Sequence, residues 1–108
     1  MTILLEDYFD FLSPDAIRIK GHRIGLEHVL EFYLDGYSAE EILREFPTLN
    51  LEKIHATLTY YWAHKAEVDD YLRRGREMAE RAYQEWAANP SPVVQRLRAL
   101  REQRAGYK

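Results

Sequence analysis

The clearest pattern of apolar and polar positions begins at Leu26. Leu26, Val29, Leu30, Tyr33 and Leu34 recur at helical spacing, with Glu27, His28, Glu31 and Asp35 opposite them. Gly36 suits the left-handed position just past such a helix. A second helix then starts at once. Ser38 is a good N-cap, Glu41 stands three residues on to close a capping box, and Tyr37 with Ile42 forms a hydrophobic staple. Ile42, Leu43 and Phe46 face inward, while Glu40, Glu41, Arg44 and Glu45 face water. Pro47 stops this helix, because its ring clashes with a preceding carbonyl and it has no N–H to give. Asn50 caps a third helix, and Leu49 with Ile54 repeats the staple. Leu51, Ile54, Leu58 and Tyr61 form the inward stripe of that helix. Two start signals separated only by Pro47-Thr48-Leu49-Asn50 predict a helix-turn-helix.

Lys65 falls in the middle of this stripe, so the helix is expected to leave the core, bend or restart around His64-Lys65-Ala66. From Val68 the pattern resumes as Val68, Leu72, Gly75, Ala79, Ala82 and Trp86, in steps of 4, 3, 4, 3 and 4. That is the seam of a heptad. Tyr71, Met78 and Tyr83 widen it, and Gly75, Ala79 and Ala82 let another helix approach closely. The seam has two readings, a fourth wall of its own domain or a contact with a second copy. So much apolar surface exceeds what a lone exposed helix shows. A homodimer through Val68, Leu72, Ala79, Ala82 and Trp86 is therefore expected.

Asn89-Pro90-Ser91-Pro92 breaks the helix, and Val93 to Arg104 forms a short basic amphipathic segment. Before Leu26, residues 1–12 carry acidic residues and the aromatics Tyr8, Phe9 and Phe11 without helical periodicity, as an arm would that packs its aromatics on the body, with room for a short strand, and Ser13-Pro14-Asp15 is turn chemistry. Ile17 to Ile24 reads as a small β-hairpin turning at Gly21. The expected organisation is an arm over 1–16, hairpin plus helix-turn-helix core over 17–65, a dimerisation helix over 66–89 and a basic tail over 90–108. The fold class is mainly α: a three-helix helix-turn-helix core with a small N-terminal hairpin and a long C-terminal helix.

At 108 residues and 46% hydrophobic content the chain supports one domain. It has no cysteine, which excludes disulfides, thiol catalysis and thiolate metal sites. No apolar run approaches the ~20 residues of a membrane span. Glu6, Asp7 and Asp10 interrupt the first apolar residues, so no signal-peptide pattern opens the chain. A cytoplasmic protein with no membrane contact is expected. The net charge of -3 hides a division: residues 1–72 hold 6 Lys+Arg against 14 Asp+Glu, and residues 73–108 hold 9 against 4. An acidic body thus carries a basic end.

Candidate chemistry is sparse. His22, His28, His55 and His64 show no ligand spacing and no HExxH motif exists. The adjacent pairs Glu40-Glu41 and Asp69-Asp70 diverge on a helix. No catalytic residue, cofactor or metal is expected. The third helix, as a recognition helix, presents Glu52, Lys53, Ala56, Thr59, Tyr60, Ala63 and His64 outward. Lys53, Thr59 and Tyr60 are candidates to read base edges, with Arg18, Lys20 and Arg23 holding phosphates. Between residues 38 and 64, however, two cations face four anions, few groups for the phosphate contacts on which DNA affinity rests. The competing reading is a compact scaffold.

Several runs resemble, in order, the bacterial family catalogued as domain of unknown function 433. They are Ile17-Arg18-Ile19-Lys20-Gly21-His22-Arg23-Ile24, the helix ending at Gly36, Ser38-Ala39-Glu40-Glu41-Ile42, Phe46-Pro47-Thr48-Leu49 and Ala56-Thr57-Leu58-Thr59-Tyr60-Tyr61. The similarity covers about Ile17 to Leu72. His22 stands where a small polar residue is common, and Gly25 where proline is common. The resemblance implies a homeodomain-like, winged-helix-type fold for the three-helix core and a frequent role as antitoxin of a VapBC-like pair, beside a PIN-like ribonuclease toxin. On that basis the expected function is non-enzymatic regulation, with operator DNA as a further ligand. Arg96, Leu97, Arg98, Leu100 and Arg101 would contact the toxin. The alternative is an interaction module with no nucleic-acid role.

Overall fold

The computed structural model describes residues 2–89 and 91–106. Pro90, which the sequence places in the helix break, and the last two residues of the basic tail lie outside them. A short 3-10 turn, Leu5–Tyr8, leads into strand β1 (Phe9–Ser13), which pairs antiparallel with β2 (Ala16–Ile19). Phe9 stands opposite Ile19, Asp10 opposite Arg18 and Phe11 opposite Ile17. The hairpin therefore lies one strand earlier than predicted and turns at Pro14-Asp15, not at Gly21. Phe9 and Ile19 are both buried in the core, so this register puts two large apolar side chains inside as a cross-strand pair. The expected second strand, His22-Arg23-Ile24, offers only Ile24. It returns merely far enough for a single bridge between Arg18 and Gly25 and an Ile19 N–H to Ile24 carbonyl bond of 3.0 Å.

Helix α1 (Leu26–Leu34) starts with the Gly25 N–H donating to His28 Nδ1 at 3.0 Å. It ends as the sequence predicts. Gly36 adopts φ 97°, and the Tyr37 and Gly36 N–H groups return to the Phe32 and Tyr33 carbonyls, each at 3.0 Å. Those two bonds are a Schellman motif, whose left-handed residue a side chain would strain. Helix α2 (Ala39–Glu45) opens with the full capping box. Ser38 Oγ accepts from the Glu41 N–H at 3.2 Å, and Glu41 Oε1 accepts from the Ser38 N–H at 3.1 Å. These bonds hold the Glu41 carboxyl below the usual range.

Helix α3 (Leu51–Ala63) is capped by Asn50, whose Oδ1 accepts from the Lys53 N–H at 2.8 Å. It stops at Ala63, and after His64 alone α4 (Lys65–Ala88) begins, which is the restart that Lys65 signals. Helix α5 (Pro92–Gly106) follows. Among the described residues the fold is thus five helices with a small hairpin ahead of them, mainly α as expected.

Two compact units divide the chain between Arg74 and Gly75. In the first unit α3 is central, contacted by α1, α2 and the turn before β1. Ile19, Leu26, Val29, Leu30, Ile42 and Ile54 have no measurable exposure. Thr57 is equally buried, and its hydroxyl donates to the Lys53 carbonyl at 2.8 Å, which satisfies the polar group inside the helix. The first turns of α4 complete this core with Val68, Tyr71 and Leu72. The boundary therefore falls well inside the predicted dimerisation helix, not at its start. In the second unit, from Gly75 onward, large apolar side chains stay open: Met78, Tyr83, Trp86, Val93, Leu97 and Leu100 are all exposed.

Candidate interaction surfaces

The outer side of α3 is narrower than its periodicity suggests. Thr59 is exposed and Lys53 half-buried, but Tyr60 keeps only 7% exposure. Its ring lies 4.9 Å from Phe9 and 6.1 Å from Phe11, centroid to centroid. Strand β1 covers the face on which Tyr60 sits, so the expected base-reading role of Tyr60 is withdrawn, and Ala56 is buried as well. Leu51, expected inside, is 38% exposed at the helix start.

What remains gathers at the N-terminal end of α3. Lys53 Nζ lies 2.9 Å from His22 Nε2. An ammonium can only donate, so the imidazole accepts with its own proton on Nδ1. This contact holds the turn of His22 beside the first turn of α3. Arg18, Lys20 and Arg23 are exposed. Glu52, which would oppose Lys53, instead accepts the Tyr8 hydroxyl proton at 2.7 Å, and that bond raises the Tyr8 pKa. The structure thus joins His22 to Lys53 at one end of α3, while Arg18 and Arg23 line a pocket with Glu27 and His28, and Thr59 lies further along α3. No sequence pattern singles out His22, whose part becomes visible only when the turn closes. Trp62 also escapes the periodic reading. It is 58% exposed, and its indole N–H donates to the Tyr33 hydroxyl at 3.0 Å.

Arg73 and Arg74, which also offer cations after the acidic body, are engaged within the first unit. Arg73 pairs with Asp70, and Arg74 pairs with both Asp70 and Asp15. These contacts hold the Asp70 carboxyl below the usual range. Beside them the Tyr71 hydroxyl donates to Glu27 Oε2 at 2.7 Å and accepts from the Ile17 N–H at 3.2 Å. Burial first, and the Glu27 bond second, push this hydroxyl up to about 12. One phenol thereby ties α4 to α1 and β2. Val68 and Leu72, expected in a dimer seam, are 2% and 5% exposed and belong to this same interior.

In the second unit the seam positions Ala79, Ala82 and Trp86 stay exposed, as do Arg96, Leu97, Arg98, Leu100 and Arg101. The Arg98 guanidinium lies 5.6 Å from the Trp86 ring, over its face, a cation–π contact that shields one side of the indole. Arg96 and Arg101 lie on the same helix as exposed Leu97 and Leu100. Among the described residues no three His, Asp or Glu side chains converge to hold a metal ion. No described helix is long and apolar enough to cross a membrane.

Comparison with curated proteins and with solved structures finds no match. A family model does match. It covers residues 16–61, from the first residue of β2 to the last turn of α3, and is described as Protein of unknown function (DUF433). That segment, which holds the turn of His22 and most of the helix-turn-helix, is similar to the DUF433 family.

Proposed function

We propose that this is a non-enzymatic, cytoplasmic regulatory protein of antitoxin type. Its second unit binds and blocks a PIN-like ribonuclease, and its helix-turn-helix unit touches operator DNA. One observation carries the reading. The core is complete at Leu72, yet the chain continues into helices whose Leu97 and Leu100 are 60% and 51% exposed between arginines. Apolar anchors rimmed by cations suit an acidic protein surface. A metal-dependent nuclease site lined by carboxylates is such a surface. Arg98 already rests on Trp86, so Arg96 and Arg101 are the side chains offered to it. Tagged full-length protein purified from its host cells is expected to bring down a ribonuclease whose RNA cleavage rises once the two are separated. Purification without a nuclease overturns the reading.

A module without nucleic-acid contact is favoured by one further observation: Tyr60 is buried in a unit dominated by acidic residues. Titration against operator DNA separates the two. Four phosphate contacts from Arg18, Lys20, Arg23 and Lys53 predict about a 10²-fold loss of affinity between 50 and 200 mM salt. No binding at the lower salt leaves the protein–protein role alone.

A further inference from the structure

Between the hairpin and the first turns of α4 the first unit keeps a cleft of about 400 Å³. Phe11, Ile17, Tyr60, Val68 and Tyr71 make its apolar walls, and Glu67 stands among them. That volume suits a small molecule, whose sites pair mostly apolar walls with a few polar groups. Phe11 remains 49% exposed although its ring lies against Tyr60, so one aromatic wall is open.

Most polar groups of the cleft are already engaged. The Tyr71 hydroxyl is held by Glu27 and the Ile17 N–H. Asp70 and Arg74 pair with each other, and further with Arg73 and Asp15. Two groups differ. The Tyr60 hydroxyl makes no hydrogen bond among the described residues, although its residue is more than nine-tenths buried, with 7% exposure. A tyrosine so placed ordinarily has a partner. No described side-chain oxygen that is cut off from solvent lacks one, so this hydroxyl faces an opening, and the cleft is the opening that Tyr60 lines. Burial first, then the charges of Glu67 and Glu6, raise its pKa, which puts it in an acidic setting. The Glu67 side chain is 82% exposed, and its carboxylate stands 4.0 Å from His64 Nδ1, beyond hydrogen-bond distance.

We infer that this cleft binds a small aromatic amine in its cationic form. The ring of the ligand takes the apolar walls, and its ammonium donates to the Glu67 carboxylate and the Tyr60 oxygen. An ammonium has donors and no acceptor, which matches a carboxylate and a phenol oxygen. Aromatic faces beside it add to the attraction. An anion is repelled by Glu67 and Asp70, and the one guanidinium lining the cleft, that of Arg74, is held by Asp15 and Asp70. A neutral ring leaves the Glu67 charge unmatched. The site lies wholly in the first unit and stands apart from the antitoxin reading, which rests on the second.

Phenethylamine is the probe, with phenylpropionate and phenethyl alcohol as its anionic and neutral counterparts. Each is titrated into the full chain at neutral pH while backbone amide shifts are recorded. The amine is expected to bind at about 1 mM, as suits so small a molecule, and to shift the amides of Ile17, Tyr60 and Val68. Both counterparts are expected to bind at least about tenfold more weakly. Glu67→Gln and Tyr60→Phe are each expected to weaken the amine about tenfold. Phenylalanine keeps the ring that packs on Phe9, and Glu67→Gln changes an exposed side chain, so urea unfolding curves should stay close to wild type. No binding of the amine at about 10 mM, tenfold above the expected constant, overturns the inference. So does a counterpart that binds as tightly, or a folded Glu67→Gln chain with unchanged affinity.

Discussion

Leu72→Ala is expected to lower the stability of the first unit by about 2–5 kcal/mol, the cost of emptying a well-packed leucine site. Ala82→Glu, ten residues further along the same seam, is expected to change unfolding by no more than about 0.5 kcal/mol, as exposed positions do. The two residues occupy the two apolar core positions of one heptad seam, and apolar periodicity does not tell a buried one from an exposed one. The structure does: Leu72 is 5% exposed inside the first unit, and Ala82 is exposed in the second. Urea unfolding of both variants, followed by tyrosine and tryptophan fluorescence, checks the contrast. Equal effects would mean that α4 does not divide at Arg74.

The second large effect belongs to Tyr71. Tyr71→Phe removes the bond to Glu27 and leaves the part-buried Ile17 N–H without its acceptor. The loss is expected to be about 1–3 kcal/mol at neutral pH. Its pH dependence has a defined sign. The hydroxyl is raised to about 12 in the folded chain from an ordinary value of 10.0. The folded state therefore holds this proton more tightly than the unfolded state does. The resulting stabilisation is complete below pH 10 and is lost as pH rises from there towards 12, at a slope of up to roughly 1.4 kcal/mol per pH unit. The wild-type stability curve should fall towards that of Tyr71→Phe across this window and run parallel to it below. Parallel curves up to pH 12 would show that Tyr71 ionises as freely in the folded chain as in the unfolded one.

How far the sequence could be read depended on how local each signal was. Ser38 with Glu41, Asn50 with the Lys53 N–H, and Gly36 after α1 each act within a few residues. The helix-turn-helix was therefore legible from its caps alone, and Lys65 marked the break after Ala63. The hairpin was not legible in the same way. Phe9 pairs with Ile19 and packs on Tyr60, contacts between distant parts of the chain that no window of neighbouring residues contains. A strand in the arm is foreseeable from its aromatics, but its pairing with β2 and its seat on Tyr60 are not, and helical spacing alone turns Tyr60 towards solvent. His22 near Lys53 is another long-range meeting, set by how the turn after β2 closes. The seam of α4 shows a different limit. Its spacing is uniform through Leu72, Gly75 and Ala79, so periodicity announces a buried face without saying what buries it.

The first unit has a closed core, whereas the second leaves Leu97 and Leu100 exposed, and the proposed partner binds there. Calorimetric titration of the co-purified ribonuclease tests this most directly, with the full chain and with its Leu97→Glu/Leu100→Glu variant. The variant should keep the wild-type unfolding curve of the first unit, because both residues are exposed in the second. Its affinity should fall at least about 30-fold, the 2 kcal/mol that marks a binding anchor. Unchanged affinity in a variant that still folds would contradict the account.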